Sequence, residues 1–135
     1  MTSLLTVCLG RPEKFWHIEI PGEPQAWKRA GRGKFGHTFN ASKNEQKTIA
    51  WQVVAACPDI RRNRIRFWGV RFRFFCASRA PKDADNLAKN YLDGLQGTVW
   101  KNDKMIRELY VAVIPSAMPR TEMVLYEIAE ATCPS

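Results

Sequence analysis

Four of the chain's five aspartates, Asp83, Asp85, Asp93 and Asp103, fall in one stretch, PKDADNLAKNYLDGLQGTVWKNDKMIR at positions 81–107. Lys89 stands four residues after Asp85. The surrounding chain is basic: 135 residues carry 21 Lys+Arg against 13 Asp+Glu, a formal +8. Residues 1–80 hold 15 of the cations and 5 of the anions, and residues 81–135 hold 6 and 8. Carboxylates gathered in a cationic protein suit a divalent metal facing a phosphate backbone. Mg²⁺ prefers oxygen ligands and keeps several waters, and a basic surface attracts a polyanion.

Spacing sharpens that reading. Asp83 and Asp85 are two apart, so in extended backbone ahead of a helix both carboxylates share a face and can meet one ion. Asp103 follows a helix and a returning turn, a path that can bring it beside the pair. Lys89 is one helical turn past Asp85, on roughly the same side. Such a set supports in-line attack of water on phosphorus, with metal and lysine offsetting charge on the phosphoryl oxygens. Plainer roles exist for each residue. Asp85 can simply cap a helix, Asp83 can be solvated, Asp103 can sit in an Asn-Asp turn, and Lys89 can pair with Asp93.

The elements that must position these residues can be read in order. Phe15–Ile20 is aromatic and β-branched and is stopped by Pro-Gly-Glu-Pro, which predicts a strand. Between Pro21 and Phe39, glycine and proline exclude a long helix. Lys28, Arg29, Arg32 and Lys34 crowd together there, flanked by Trp27 and Phe35. A glycine-rich hairpin of this kind can follow a phosphate backbone and stack on a splayed base. Ser42 and Glu45 have capping-box spacing, and the apolar period that follows predicts a helix over Lys43–Ala56, ended by Pro58. Arg61, Arg62, Arg64 and Arg66 form the densest positive run.

Phe67–Cys76 alternates. Trp68, Val70, Phe72, Phe74 and Cys76 point to a core, while Arg71 and Arg73 point away and join the candidate DNA contacts. A short helix is expected over Asn86–Gly94 with Asp85 as its N-cap. A brief extended piece follows at Thr98–Trp100. Ile106–Ile114 and Thr121–Ile128 read as two antiparallel strands joined by a short loop. The sum is a single compact α+β domain over residues 15–130, a mixed sheet with two main helices packed on it. Residues 1–14 are expected to be a loose extension and 131–135 a tail.

Several classes are disfavoured. The cysteines, Cys8, Cys57, Cys76 and Cys133, show no C-x-x-C spacing, and only His17 and His37 could complete a zinc set. Scattered cysteines without a secretory signal suggest reduced thiols and a cytoplasmic location. No stretch approaches transmembrane length, so no membrane partner is expected.

The pattern Asp83-Ala84-Asp85-Asn86-Leu87-Ala88-Lys89, then Asp93-Gly94, then Asn102-Asp103-Lys104-Met105-Ile106 heading a strand, resembles the RusA family of Holliday junction resolvases. The Ile20-Pro21-Gly22-Glu23-Pro24 turn followed by Lys28-Arg29 is similar to the start of that family. The resemblance covers about residues 15–130. It implies a small homodimeric α+β endonuclease, often prophage-borne, that uses Mg²⁺ (with Mn²⁺ as an alternative) to nick two opposed strands of a four-way junction in recombination and repair. It gives Asp83, Asp85 and Asp103 the metal-ligand roles and Lys89 the catalytic lysine role. Many relatives carry Asp-Asp in the last turn, where this chain has Asn102-Asp103, so the local negative charge is one less. Two other readings use the same features: a non-catalytic, structure-selective nucleic-acid-binding protein, and a metal nuclease for other branched DNA.

Overall fold

The computed structural model describes residues 14–26, 31–32, 38–39, 43–79 and 82–128. In chain order they form strand β1 (Phe15–Pro21), a two-residue pair β2 (Gly31–Arg32) and β3 (Thr38–Phe39), and helix α1 (Lys43–Ala56). A 3₁₀ turn (Pro58–Arg62), strand β4 (Trp68–Cys76) and helix α2 (Ala84–Leu95) follow. A second 3₁₀ turn (Asp103–Met105) then leads into strands β5 (Ile106–Pro115) and β6 (Arg120–Glu127).

Strand β4 carries the most buried apolar surface and lies inside the sheet. Trp68, Val70, Phe72 and Phe74 are at most 1% exposed. The four-stranded sheet runs β1-β6-β4-β5. β4 pairs with β5 in parallel and with β6 antiparallel, and β1 adds antiparallel to β6. The expected hairpin of the last two strands is therefore corrected. β5 and β6 run in opposite directions but lie on either side of β4. The most apolar strand gains most from neighbours on both edges, so it separates its two successors. The 116–119 link crosses its end, where the Ser116 N–H donates to the Cys76 carbonyl at 3.0 Å and the Gly22 N–H to the Pro119 carbonyl at 3.2 Å.

Parallel strands need a crossover, and α2 supplies it between β4 and β5. Both helices sit on the inner face of the sheet. Ile49 and Val53 of α1 and Leu87, Ala88, Tyr91 and Leu95 of α2 share one core with Ile18, Val70, Phe72, Phe74, Met123 and Leu125. Tyr91 packs its ring 5.8 Å from Phe72 and 5.1 Å from Phe74. Trp68 is wedged between Trp16 and Trp100, with centroids 5.7 and 5.6 Å away. No described helix is long and apolar enough to cross a membrane.

Helix α1 has the expected bounds; Ser42, its expected cap, lies outside the described residues. Helix α2 starts earlier than expected. Asp83, not Asp85, is its N-cap, in extended backbone and accepting from the Asp85 N–H at 3.2 Å. The expected extended piece at Thr98–Trp100 is instead a turn over Gly97–Val99, which Gly97 enters with φ +87°, closed by a single bridge between Gln96 and Trp100. That conformation has no steric cost for glycine.

On the outer face, Gly69, Arg71 and Arg73 of β4 sit beside Tyr126, Val124 and Glu122 of β6 and beside Glu108, Tyr110 and Ala112 of β5. The Arg71 guanidinium lies over Tyr110 at 4.9 Å and over Tyr126 at 5.6 Å. The Tyr126 hydroxyl donates to Glu108 at 2.5 Å. This arrangement needs Gly69, because a Cβ there would stand 2.1 Å from Cζ of the Tyr126 ring. Gly69→Ala should push Tyr126 off both partners and cost about 1–3 kcal/mol, the usual range for overpacking. Urea unfolding measures this loss. The double variant with Tyr126→Leu should recover most of it, and additive losses would show that the two positions do not interact.

Candidate active site

The acidic end of α2 is built by capping. Asp83 satisfies an orphan amide of the first turn, and Asp85 lies within that turn, where the helix dipole favours negative charge. The inner face of α2 carries Leu87, Ala88, Asn90, Tyr91 and Leu95, all buried. The same amphipathicity leaves Asp85 and Lys89 exposed on the other face. Lys89 forms an i,i+4 ion pair with Asp93 at 3.4 Å, with half of its side chain exposed. Asp85, Lys89 and Asp93 thus make one stripe with a spacing of four.

Asp103 is held elsewhere. It opens the 3₁₀ turn that Asn102 caps, with the Asn102 side-chain oxygen accepting from the Lys104 N–H at 2.8 Å. The Trp100 indole N–H donates to the Asp103 carboxylate at 3.2 Å. With its nitrogen facing Asp103, the Gln96 amide donates at 2.9 and 3.2 Å. Gln96 is the C-cap of α2. Asp103 therefore sits at the C-terminal end of α2, and Asp83 and Asp85 at its N-terminal end. At 1.5 Å per residue, a 12-residue helix separates them by about 18 Å. Among the described residues, no three Asp, Glu, His or Cys side chains are grouped to hold a metal. Asp83 and Asp85 suit a hard divalent cation by donor type, two exposed carboxylates with room for water. Among the described residues, no third carboxylate reaches them within one copy of the chain.

The expected DNA contacts divide. Lys28, Arg29 and Lys34 lie outside the described residues. Arg32 pairs its backbone with Thr38 in the two-residue strands β2 and β3. Arg71 and Arg73 lie on the outer sheet face, opposite α2, and Arg73 is 3.5 Å from Glu122.

Sequence reading missed a clamp beside the acidic end. Lys82, next to Asp83, donates to the Glu23 carboxylate at 2.7 Å and to the Pro24 carbonyl at 2.8 Å. The other Glu23 oxygen accepts from the Ala77 N–H at 3.0 Å. Glu23 and Lys82 are 59 residues apart, so no local spacing announces them.

A family model described as endodeoxyribonuclease RusA matches residues 21–126. No curated protein was found to match the chain.

The clamp has a pH signature. The Lys82 hydrogen bond, outweighing the burial that opposes it and aided by the Ala77 N–H, holds the Glu23 carboxyl below its ordinary 4.5. A lowered folded pKa stabilises fully above the unfolded value, and that stabilisation is lost as pH falls through the folded value. The stability gap between wild type and Glu23→Gln should therefore be widest above the ordinary 4.5 and should shrink as the pH is lowered below it. Urea midpoints across that range measure it. A gap that does not change with pH would rule out a charged clamp.

Proposed function

The chain belongs to the RusA endodeoxyribonuclease family, and from that premise we propose that it is a Mg²⁺-dependent nuclease (Mn²⁺ as an alternative) that resolves four-way DNA junctions by paired, symmetric nicks in recombination and repair. The observation that carries this reading is the first half of α2: two exposed carboxylates and a lysine fixed on one helix of a +8 chain. Cys57 and Cys76 are free thiols, which suits a cytoplasmic nuclease.

A divalent cation held by these carboxylates would supply Lewis-acid polarisation of the scissile phosphate. The protein's own part is positioning. Leu87, Tyr91 and Leu95 lock α2 to the sheet, so Asp83 and Asp85 need little ordering when substrate arrives. Lys89 pairs with Asp93 in a half-exposed ion pair, a type worth about 0–1 kcal/mol. Exchanging Asp93 for a phosphoryl oxygen costs little, and Lys89 then offsets charge developing there. Lys28, Arg29, Arg32 and Lys34 supply phosphate contacts. Arg71 and Arg73 would touch DNA only where a junction arm passes the outer sheet face.

Asp103 takes its ligand role from a second copy of the chain. β5 is an edge strand with Leu109 and Tyr110 45% and 43% exposed, and its only proline is terminal. An unpaired edge of this kind is a template for another strand. Antiparallel pairing of two β5 edges about a twofold axis sets the start of one against the end of the other. The start of β5 carries Asp103. The end of β5 lies with the start of α2, because α2 runs back against two parallel strands. The second copy's Asp103 therefore approaches Asp83 and Asp85, and the homodimer holds two such centres.

Asp85→Asn should abolish cleavage of a synthetic four-way junction in Mg²⁺ while junction binding persists. Lys89→Ala should slow single-turnover cleavage by about 10²–10³-fold with little change in affinity, a typical loss for removing one charge-stabilising group. Junction binding by folded wild type without cleavage in Mg²⁺ or Mn²⁺ would instead favour the non-catalytic reading. Sharing between copies has its own test. When inactive Asp85→Asn and Asp103→Asn proteins are mixed and allowed to exchange subunits, half of the centres in each mixed dimer are intact and nicking returns. If each centre were built within one copy, every mixture would stay inactive.

A further inference from the structure

The densest positive run of the sequence, Arg61, Arg62, Arg64 and Arg66, has no part in the site described above. The structure gathers it with Lys101, Lys104 and Arg107 at one pole of the sheet. β4 and β5 start side by side, with Trp68 opposite Ile106. The segment 58–67 that leads into β4 therefore meets the segment 101–107 that opens β5. Together the two segments carry seven cations and two acids, Asp59 and Asp103, a balance of +5 in a chain of +8. All seven cations are exposed.

The pole is built, not merely solvated. Ile60 and Ile65 are 0% and 7% exposed and anchor the first segment in the core, which leaves the arginines around them facing out. Asn63 closes the bend: its side-chain nitrogen donates to the Ile60 carbonyl, and its oxygen accepts from the Ile65 N–H at 2.9 Å. The row Trp16-Trp68-Trp100 ties the two segments together. The Trp16 indole N–H donates to Asp59 at 3.2 Å, as the Trp100 indole does to Asp103. Both acids of the pole thus accept from an indole. The Arg107 and Arg66 guanidinium groups lie over the Phe67 ring at 4.3 and 5.3 Å.

Pairing separates this pole from the rest of the surface. Lys82, Lys89, Arg73 and Arg120 each have a carboxylate within 3.5 Å. Among the described residues, Arg61, Arg62, Arg64, Lys101, Lys104 and Arg107 have no such ion pair. Like charges gathered without partners repel one another, and a polyanion relieves that repulsion.

We propose that this pole is a phosphate-binding surface for a duplex arm of the DNA, with Arg61, Arg62, Arg64 and Arg107 on the phosphates. The inference rests on the nuclease reading above and names where its substrate is held. Asp103 stands between Lys101 and Lys104 in the same surface, so in the proposed dimer these cations border each acidic centre and hold the arm that leaves it. Contacts of this kind position the duplex and carry no sequence information.

The test compares Arg64→Gln, the double variant Arg62→Gln/Arg64→Gln and the charge-keeping Arg62→Lys/Arg64→Lys with wild type. Lys47→Gln, on the exposed side of α1, controls for net charge. Affinity for a four-way junction and for a linear duplex is measured with Ca²⁺ replacing Mg²⁺ over a range of salt, and cleavage by single turnover at saturating protein in Mg²⁺. Plots of log affinity against log salt should be shallower by about one for Arg64→Gln and about two for the double Gln variant, as one or two phosphate contacts are lost. The double Gln variant should bind about tenfold more weakly, on junction and linear duplex alike, because an arm is ordinary duplex. The Lys pair and Lys47→Gln should keep the wild-type slope. Cleavage at saturation should stay within about twofold of wild type. Slopes and affinities for Arg64→Gln that match Lys47→Gln would overturn the proposal, since net charge alone would then explain them. A loss confined to the junction would overturn it too. Wild type that binds but does not cleave would sink the nuclease reading alone, and the salt slopes would still decide this one. Wild type that binds neither DNA would overturn both.

Discussion

The arrangement depends on the burial of β4. Its inward side chains, Trp68, Val70, Phe72 and Phe74, are almost wholly removed from water, at about 1.5–3 kcal/mol for each large apolar side chain. A strand with that much apolar surface is most stable with a partner on each edge, and β5 and β6 take those places. Because β5 is parallel to β4, the chain must cross the full sheet between them, and α2 makes the crossing. The ends of α2 then lie at opposite ends of the sheet. The placement of Asp83 and Asp85 at one pole and Asp103 at the other follows from packing before any catalytic requirement enters.

The two faces of α2 divide the work. Its buried face is apolar except for Asn90 and the Tyr91 hydroxyl, both of which hold the chain where it enters the basic segment. Its exposed face is a charged stripe. A helix rotated by one residue would bury Lys89 and expose Leu87, so the core that locks α2 also aims the stripe. Trp100 belongs to the same scheme, since its ring packs on Trp68 while its N–H reaches Asp103. The aromatic core thereby orients an acidic side chain at the far end of the helix.

Features with local spacing were legible in the sequence. The alternation of Trp68 to Cys76 identified the central strand, and the apolar period closed by Pro58 identified α1. The acidic stretch stood out because Asp83, Asp85 and Lys89 are within seven residues of one another. The choice of cap was less visible: D-x-D offers two capping aspartates, and the helix begins two residues earlier than the second would allow. Strand order was hidden because adjacency in sequence favours a hairpin, whereas burial favours β4 in the middle. The Glu23–Lys82 and Asn90–Gln25 pairs span 59 and 65 residues and leave no periodic trace. Asn90 looks like an ordinary polar helix residue until its burial is known.

Separating Asp103 from the other two carboxylates also has an electrostatic consequence. Two carboxylates about 4 Å apart repel by about 4 kcal/mol at an effective dielectric constant of 20, and a third raises that further. A chain that gathered all three by itself would carry this repulsion whenever no cation was present. Here each charge has local compensation. The α2 dipole and the Asp85 N–H act on the first pair, and the Trp100 and Gln96 donors act on Asp103. Neutral Asn102 fits the same logic. Its side-chain oxygen is committed to capping the turn at Lys104, so it shapes the approach of Asp103 without adding charge. In the proposed dimer, an acidic centre divided in this way would meet its repulsion only where a second copy and a cation are present to offset it.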